Sequence, residues 1–87
     1  MAFFVYLVEC ADKTFYCGYT KDLKARVKAH NEGKGAKYTR ARRPVRLVYF
    51  EEKSSLKQAM QRELRIKKMP RKEKEKLIKN RLLKAVL

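Results

Sequence analysis

Apolar residues recur along this chain in two rhythms, and the change of rhythm marks its elements. "FFVYLVEC" at 3–10 is an almost unbroken β-branched and aromatic run, the composition of a mostly buried strand, and "TFYCGYT" at 14–20 is a second. The polar "ADK" between them reads as a short hairpin loop. In "TKDLKARVKAHNEG" the spacing becomes helical, with Thr20 as the expected N-cap, Asp22 in the first turn and Gly33 soon after the end. From Asn31 to Arg43 no period survives, while "PVRLVYFEE" alternates as a third strand. "SSLKQAMQRELRIKKM" is a second long helix stopped by Pro70. That proline suits the first turn of a third helix from about Arg71, with Leu77, Ile78, Leu82 and Ala85 along one side. The order β-β-α-β-α-α predicts an α+β fold, a three-stranded, mainly antiparallel sheet with flanking helices. No repeat or long linker interrupts it, so residues 1–87 are expected to form a single domain.

The hairpin carries a tyrosine on each strand, Tyr6 and Tyr16. They share a sheet face only if paired residues sum to an even number, as when Cys10 opposes Thr14 around the loop Ala11-Asp12-Lys13. A two-residue loop would put them on opposite faces. The favourable register also sends Cys10 and Cys17 to opposite faces, where they cannot bridge.

Helical projection then places polar groups where carbon is expected. Leu23 and Val27 mark the inward side of the first helix, and Arg26 and His30 fall on that side. On the second helix Leu56, Ala59, Met60 and Leu64 form the expected apolar arc, with Glu63 inside it. A buried carboxylate is costly unless it meets a cation, a metal or hydrogen-bond donors. The plain account is a structural ion pair between Arg26 and Glu63, with His30 as a packing or capping residue and the tyrosines as core aromatics.

Composition narrows the partners. The 87 residues contain 24 Lys and Arg against 9 Asp and Glu, a net charge of +15. A chain this short buries only about 60% of its unfolded surface, so self-repulsion on that scale favours a polyanionic partner. A basic membrane anchor would gather large apolar residues along one helix, whereas here the aromatics lie mostly in strands. Nothing approaches the roughly 18 apolar residues of a membrane span, and the opening run, broken by Glu9 and Asp12, is not a secretory signal. Two cysteines and one histidine are too few for a structural zinc site, and two free thiols fit a reduced, cytoplasmic setting. Lys34, Lys37, Arg40, Arg42 and Arg43 in the aperiodic segment are the expected phosphate contacts, unless that loop is merely solvated. Tyr19 and Tyr38 are candidates to stack on unpaired bases, or to pack.

Tyr6, Tyr16, Arg26, His30 and Glu63, gathered at one end of the sheet, would suit phosphodiester hydrolysis. That reaction needs an activated water, stabilised charge at phosphorus and help for the leaving oxygen. Arg26 offers a planar fork for the phosphate, a tyrosine can serve as general base with His30 passing the proton on, and Glu63 can hold a single divalent ion.

These residues also resemble a known family. "FVY" at 4–6 and "YCG" at 16–18 look like the paired signature of the GIY-YIG nuclease superfamily, with Arg26 ten residues past Tyr16, His30 four further on, and Glu63 in "MQRELRIKK". The run "HNEGKGAKYTRARRPV" is similar to the small stand-alone bacterial branch, the YhbQ-like group. Phe4 stands in place of the first motif's glycine and Cys17 in place of the second motif's isoleucine. Asn80 is a candidate for the family's late asparagine.

The resemblance implies a metal-dependent DNA endonuclease of repair or recombination, using Mg2+ or Mn2+ on branched, nicked or distorted DNA, with RNA as a further possible substrate. It implies a nucleoid-associated protein with low sequence specificity, unless a protein partner supplies it. The alternative is a nucleic-acid-binding module that keeps the fold without cleaving. Under a purely structural reading Glu63→Ala destabilises the fold; under the nuclease reading it does not.

Overall fold

In a computed structural model, described over residues 2–86 for the backbone and 2–81 for side chains, the chain forms β1 (Phe3–Glu9), β2 (Phe15–Thr20), α1 (Leu23–Asn31), α2 (Lys37–Arg40), β3 (Arg46–Lys53), α3 (Leu56–Lys67) and α4 (Arg71–Val86). The strands make one antiparallel sheet in the order β2-β1-β3. This is the predicted architecture, with the four-residue helix α2 added inside the aperiodic segment. Leu82 and Ala85, expected along the inner side of the last helix, have side chains outside the described residues.

The hairpin adopts the even register. Val8 opposes Tyr16 and Tyr6 opposes Gly18, so both phenols project from one face. The loop explains it. Lys13 N donates to Cys10 O at 2.9 Å, Lys13 takes a left-handed φ of 70°, and Cys10 N donates to Thr14 O at 2.8 Å. This is a type I turn closed by a left-handed residue, the usual form of a three-residue hairpin.

As the central strand, β1 is covered on both sides, with Val5, Tyr6, Leu7 and Val8 all at most 1% exposed. Val5, Leu7, Cys17 and Tyr49 pack under Ala59 and Ile66 of α3 and beside Leu77 and Ile78 of α4. On the other face Tyr6, Val8, Cys10 and Val45 meet Leu23 and Val27 of α1. The two cysteines lie in separate cores, free and buried.

Two local expectations need correction. The N-cap of α1 is Asp22, which accepts from Ala25 N at 3.1 Å, while Thr20 ends β2 and its hydroxyl accepts from Asp22 N. The inward arc of α3 is not Leu56, Met60 and Leu64, which are 45%, 43% and 56% exposed. Ala59 and Ile66 lie inward instead, with Arg62 and Glu63 half-buried between them. Small Ala59 lets the helix approach the sheet, and Arg62 is satisfied there because Glu51 of β3 accepts from its Nε and Nη2 at 2.9 Å.

Candidate active site

The face shared by β1, β2 and α1 brings four of the five expected residues together. Tyr6 comes from the middle of β1 and Tyr16 from β2 beside it. Arg26 and His30, one helical turn apart, come down from α1. A Schellman motif fixes the end of that helix, with Lys34 N donating to Ala29 O at 2.9 Å and Gly33 N to His30 O at 3.1 Å.

His30 is fully buried and tied at both ring nitrogens. Tyr6 Oη lies 2.8 Å from Nε2, and Thr39 Oγ1 of α2 lies 2.8 Å from Nδ1. Thr39, also fully buried, donates from its hydroxyl to Ala36 O at 3.1 Å. Gly35 passes so near the His30 ring that a Cβ there would collide with it. Gly18 plays the same part for Tyr6, since a Cβ would stand 2.5 Å from the phenol oxygen. Tyr16 meets the His30 ring at 5.2 Å between centroids and stacks on Tyr38 at 5.9 Å.

Charges shift with burial. Desolvation pushes the Tyr6 phenol up to about 12, although Arg26 beside it pulls the other way. Burial, and then the Arg26 charge, hold the His30 imidazole below its ordinary pKa, so it is neutral near pH 7. Cys17, raised to about 12 chiefly by burial, is an inert filler. The Nε of Arg26 is buried with no hydrogen-bond partner among the described residues. Most buried donors in folded proteins are satisfied, so an orphan of this kind marks a place for a water or an anion.

Glu63 stands apart from these four. It belongs to α3, packed against the opposite face of the sheet, and its backbone carbonyl lies 3.9 Å from Cys17 Sγ. Its carboxylate reaches Lys67 at 3.7 Å, and Lys67 Nζ sits 6.0 Å from the centre of the Tyr16 ring. Lys67 thus lies between the Glu63 carboxylate and Tyr16, at the edge strand β2. The ion pair of Glu63 with Arg26 does not form among the described residues; the half-buried pairs there are those of Glu51 with Arg62 and with Lys53.

No group of three or more His, Cys, Asp or Glu side chains gathers among the described residues. The Glu63 carboxylate, 13% exposed, has one contact among the described ion pairs, to Lys67 at 3.7 Å, and so has oxygens to offer a hard ion. One such carboxylate fits Mg2+, which keeps several waters and completes its shell with substrate phosphate oxygens.

The basic segment divides. Arg42 Nε donates to Asp12 at 3.0 Å, its Nη1 to Tyr38 O at 2.8 Å, and its guanidinium lies 4.0 Å from the Tyr38 ring centre. Arg43 Nε donates to Arg40 O at 2.9 Å. These two fold the loop as well as charging it, while Lys34, Lys37 and Arg40 are exposed. Tyr38 is 38% exposed, and Tyr19 is packed at the core under α3. Asn80 lies by Tyr49, Leu77 and Arg81, toward β3. Thr39 and Gly35 were not expected in the site, because a four-residue helix is too short to show a period.

A family model described as the GIY-YIG catalytic domain matches residues 2–80. The chain belongs to the GIY-YIG family. Within it, the UPF0213 protein YazA of Bacillus subtilis is 56% identical over 72 residues, which are 83% of this chain and 73% of that one. The UPF0213 protein SA0446 of Staphylococcus aureus is 53% identical over 78 residues, 90% of this chain and 95% of the relative. Two solution NMR structures share the fold. The UPF0213 protein BH0048 of Bacillus halodurans has a TM-score of 0.58 at 46% identity, covering 91% of this chain and 84% of that one. The protein EF2693 of E. faecalis has a TM-score of 0.63 at 36% identity, covering 95% and 88%. The chain is thus a small GIY-YIG protein of the UPF0213 type; the two tripeptides and the arginine spacing implied the superfamily, and the run at 30–45 its small bacterial branch. No helix among its described residues is long and apolar enough to cross a membrane.

Proposed function

We propose that this GIY-YIG protein is a metal-dependent DNA endonuclease, hydrolysing phosphodiester bonds in branched, nicked or otherwise distorted DNA during repair or recombination. The observation that carries the reading is the buried, unpartnered Nε of Arg26 beside the joined Tyr6 and His30. A phosphate oxygen satisfies that donor, and the guanidinium then neutralises charge developing at phosphorus. Tyr6 and Tyr16 are the phenols for water activation, with His30 behind Tyr6 as the proton acceptor. Glu63 would hold one Mg2+ or Mn2+, which supplies Lewis-acid charge for the leaving oxygen. Lys34, Lys37, Arg40, Arg42 and Arg43 hold the flanking phosphates, and since phosphate contacts carry no sequence information, sequence choice is low or depends on a protein partner. A net charge of +15 suits a cytoplasmic, nucleoid-associated protein. RNA presents the same phosphates and is the control substrate.

The test is cleavage of labelled duplex, flap and four-way-junction DNA with Mg2+ or Mn2+ and with EDTA, beside Glu63→Ala and Arg26→Ala. Cutting that needs metal and disappears in both variants supports the enzyme. A second reading, a binding module that does not cleave, is favoured by the position of Glu63 beyond β2 and its pairing with Lys67. Equal, salt-sensitive binding by all three proteins without cutting would establish it.

A further inference from the structure

We infer that Thr39 of α2 is a positioning residue: it holds the His30 ring in the Nδ1–H tautomer, which makes Tyr6 donate its phenolic proton to Nε2 and poises the pair as a proton relay with His30 as the acceptor. The assignment follows from counting hydrogens. Thr39 has one hydroxyl hydrogen, and Ala36 O, 3.1 Å away, can only accept it. The contact of 2.8 Å to His30 is then an Nδ1–H donated to Thr39 Oγ1, and the bare Nε2 accepts the Tyr6 proton. All three hydrogens find acceptors. In the other tautomer Thr39 donates to Nδ1 and Nε2–H donates to Tyr6. The Tyr6 hydrogen, on a side chain 1% exposed, then has no acceptor among the described hydrogen bonds. A buried donor without an acceptor is costly, so the first arrangement prevails.

The surroundings agree. The groups facing His30 are Tyr6 from β1, Tyr16 from β2, Arg26 from α1 and Thr39 from α2. None of them is a carboxylate, so nothing among them stabilises a resting imidazolium, and burial with Arg26 keeps the ring neutral. A neutral ring with a bare Nε2 is the state that can accept a proton.

The chemical consequence rests on the nuclease reading. As the water attacks, one of its O–H bonds breaks and a new O–H forms at Tyr6 Oη, while the old Tyr6 O–H breaks and Nε2–H forms. The water oxygen bonds to phosphorus as the bond to the leaving oxygen breaks, and the leaving oxygen takes a proton from solvent. The imidazolium, its Nδ1–H still on Thr39, later returns its proton through Tyr6 to solvent.

His30 is the chain's single histidine, so its two ring nitrogens can be followed without ambiguity in a 15N-labelled sample. The expected wild-type spectrum above pH 7 shows a protonated Nδ1 and a bare Nε2. Thr39→Val should lose that preference and lower kcat at least about tenfold with KM unchanged, the scale of removing an outer partner that orients a histidine. Thr39→Ser should restore both. A protonated Nε2 in wild type overturns the proposal, even if Thr39→Val fails to fold. So does a folded Thr39→Val that loses thermal stability while keeping the ring pattern and pH profile of wild type. Correct nitrogens in a wild type that cuts no DNA would sink the nuclease reading and leave the tautomer assignment standing.

Discussion

Two arginines, one on each side of the sheet, meet opposite fates. Arg62, on α3, is paired: Glu51 accepts from its Nε and Nη2, both at 2.9 Å, and Tyr49 donates to the same carboxylate. Burial alone would raise the Glu51 pKa, but Arg62 and the Tyr49 hydroxyl outweigh it and hold it at about 2. Arg26, on α1, has a buried Nε with no partner and no ion pair among the described residues. Its neighbours are a phenol and a neutral imidazole. In a small basic domain a charge near the core is either neutralised by the chain's own carboxylate, and is then structural, or left open to an anion from outside. The face under α3 belongs to the first class and the face under α1 to the second.

The largest expected effect breaks this contrast on the open side. Arg26→Ala should lower cleavage by about 10²–10³, the loss seen when one charge-stabilising donor leaves an active site. Thermal stability should stay level or rise, because an unsatisfied buried donor goes with it; parallel melts check this. Next comes the closed side. Arg62→Met takes the two-pronged partner from Glu51, leaving it Lys53 at 3.2 Å and the Tyr49 hydroxyl, and should destabilise by about 1–2 kcal/mol, read by urea unfolding. That is below the ~3–5 kcal/mol of a fully buried pair, since the two side chains are still 25% and 15% exposed.

Acid titration sharpens the comparison with a smaller signal. His30, with its folded pKa depressed, contributes stability that is complete above its unfolded value near 6.5 and is lost as pH falls through the folded one. Glu51 contributes above its unfolded value of 4.5, and that contribution is lost as pH falls toward about 2. Acid unfolding should therefore weaken the protein in two windows. Glu51→Gln should flatten only the lower one, and identical curves for the two proteins would refute the division.

Much of this was legible in the sequence, and the limits have physical causes. The length of the Ala11-Asp12-Lys13 loop fixes the register, and hence the shared face of Tyr6 and Tyr16, because side-chain direction alternates strictly along a strand. Leu23 and Val27 correctly oriented α1, so Arg26 and His30 fell inward as expected. The inner face of α3 was not legible. Hydrophobic spacing favours Leu56, Met60 and Leu64, whereas the inward arc includes Arg62, whose partner Glu51 is eleven residues away on another element. Nor did any local pattern point to Thr39, whose importance comes from a contact with His30 nine residues earlier.

The smallest effect lies away from both arginines. Lys13 sits at φ 70°, which costs an L side chain energy that glycine avoids. Lys13→Gly should gain about 0.5 kcal/mol after glycine's greater unfolded-state entropy is subtracted, with cleavage unchanged.

The most direct test of the central claim is a crossed measurement on one set of preparations: metal-dependent cleavage of a labelled four-way junction and the melting temperature, for wild type, Arg26→Met and Arg62→Met. The open-site account predicts that Arg26→Met loses cutting and keeps its melting temperature, while Arg62→Met melts earlier and still cuts when folded. If both variants lose stability alike and cut alike, Arg26 is a structural charge like Arg62, and the face beneath α1 is not a phosphodiester-cleaving centre.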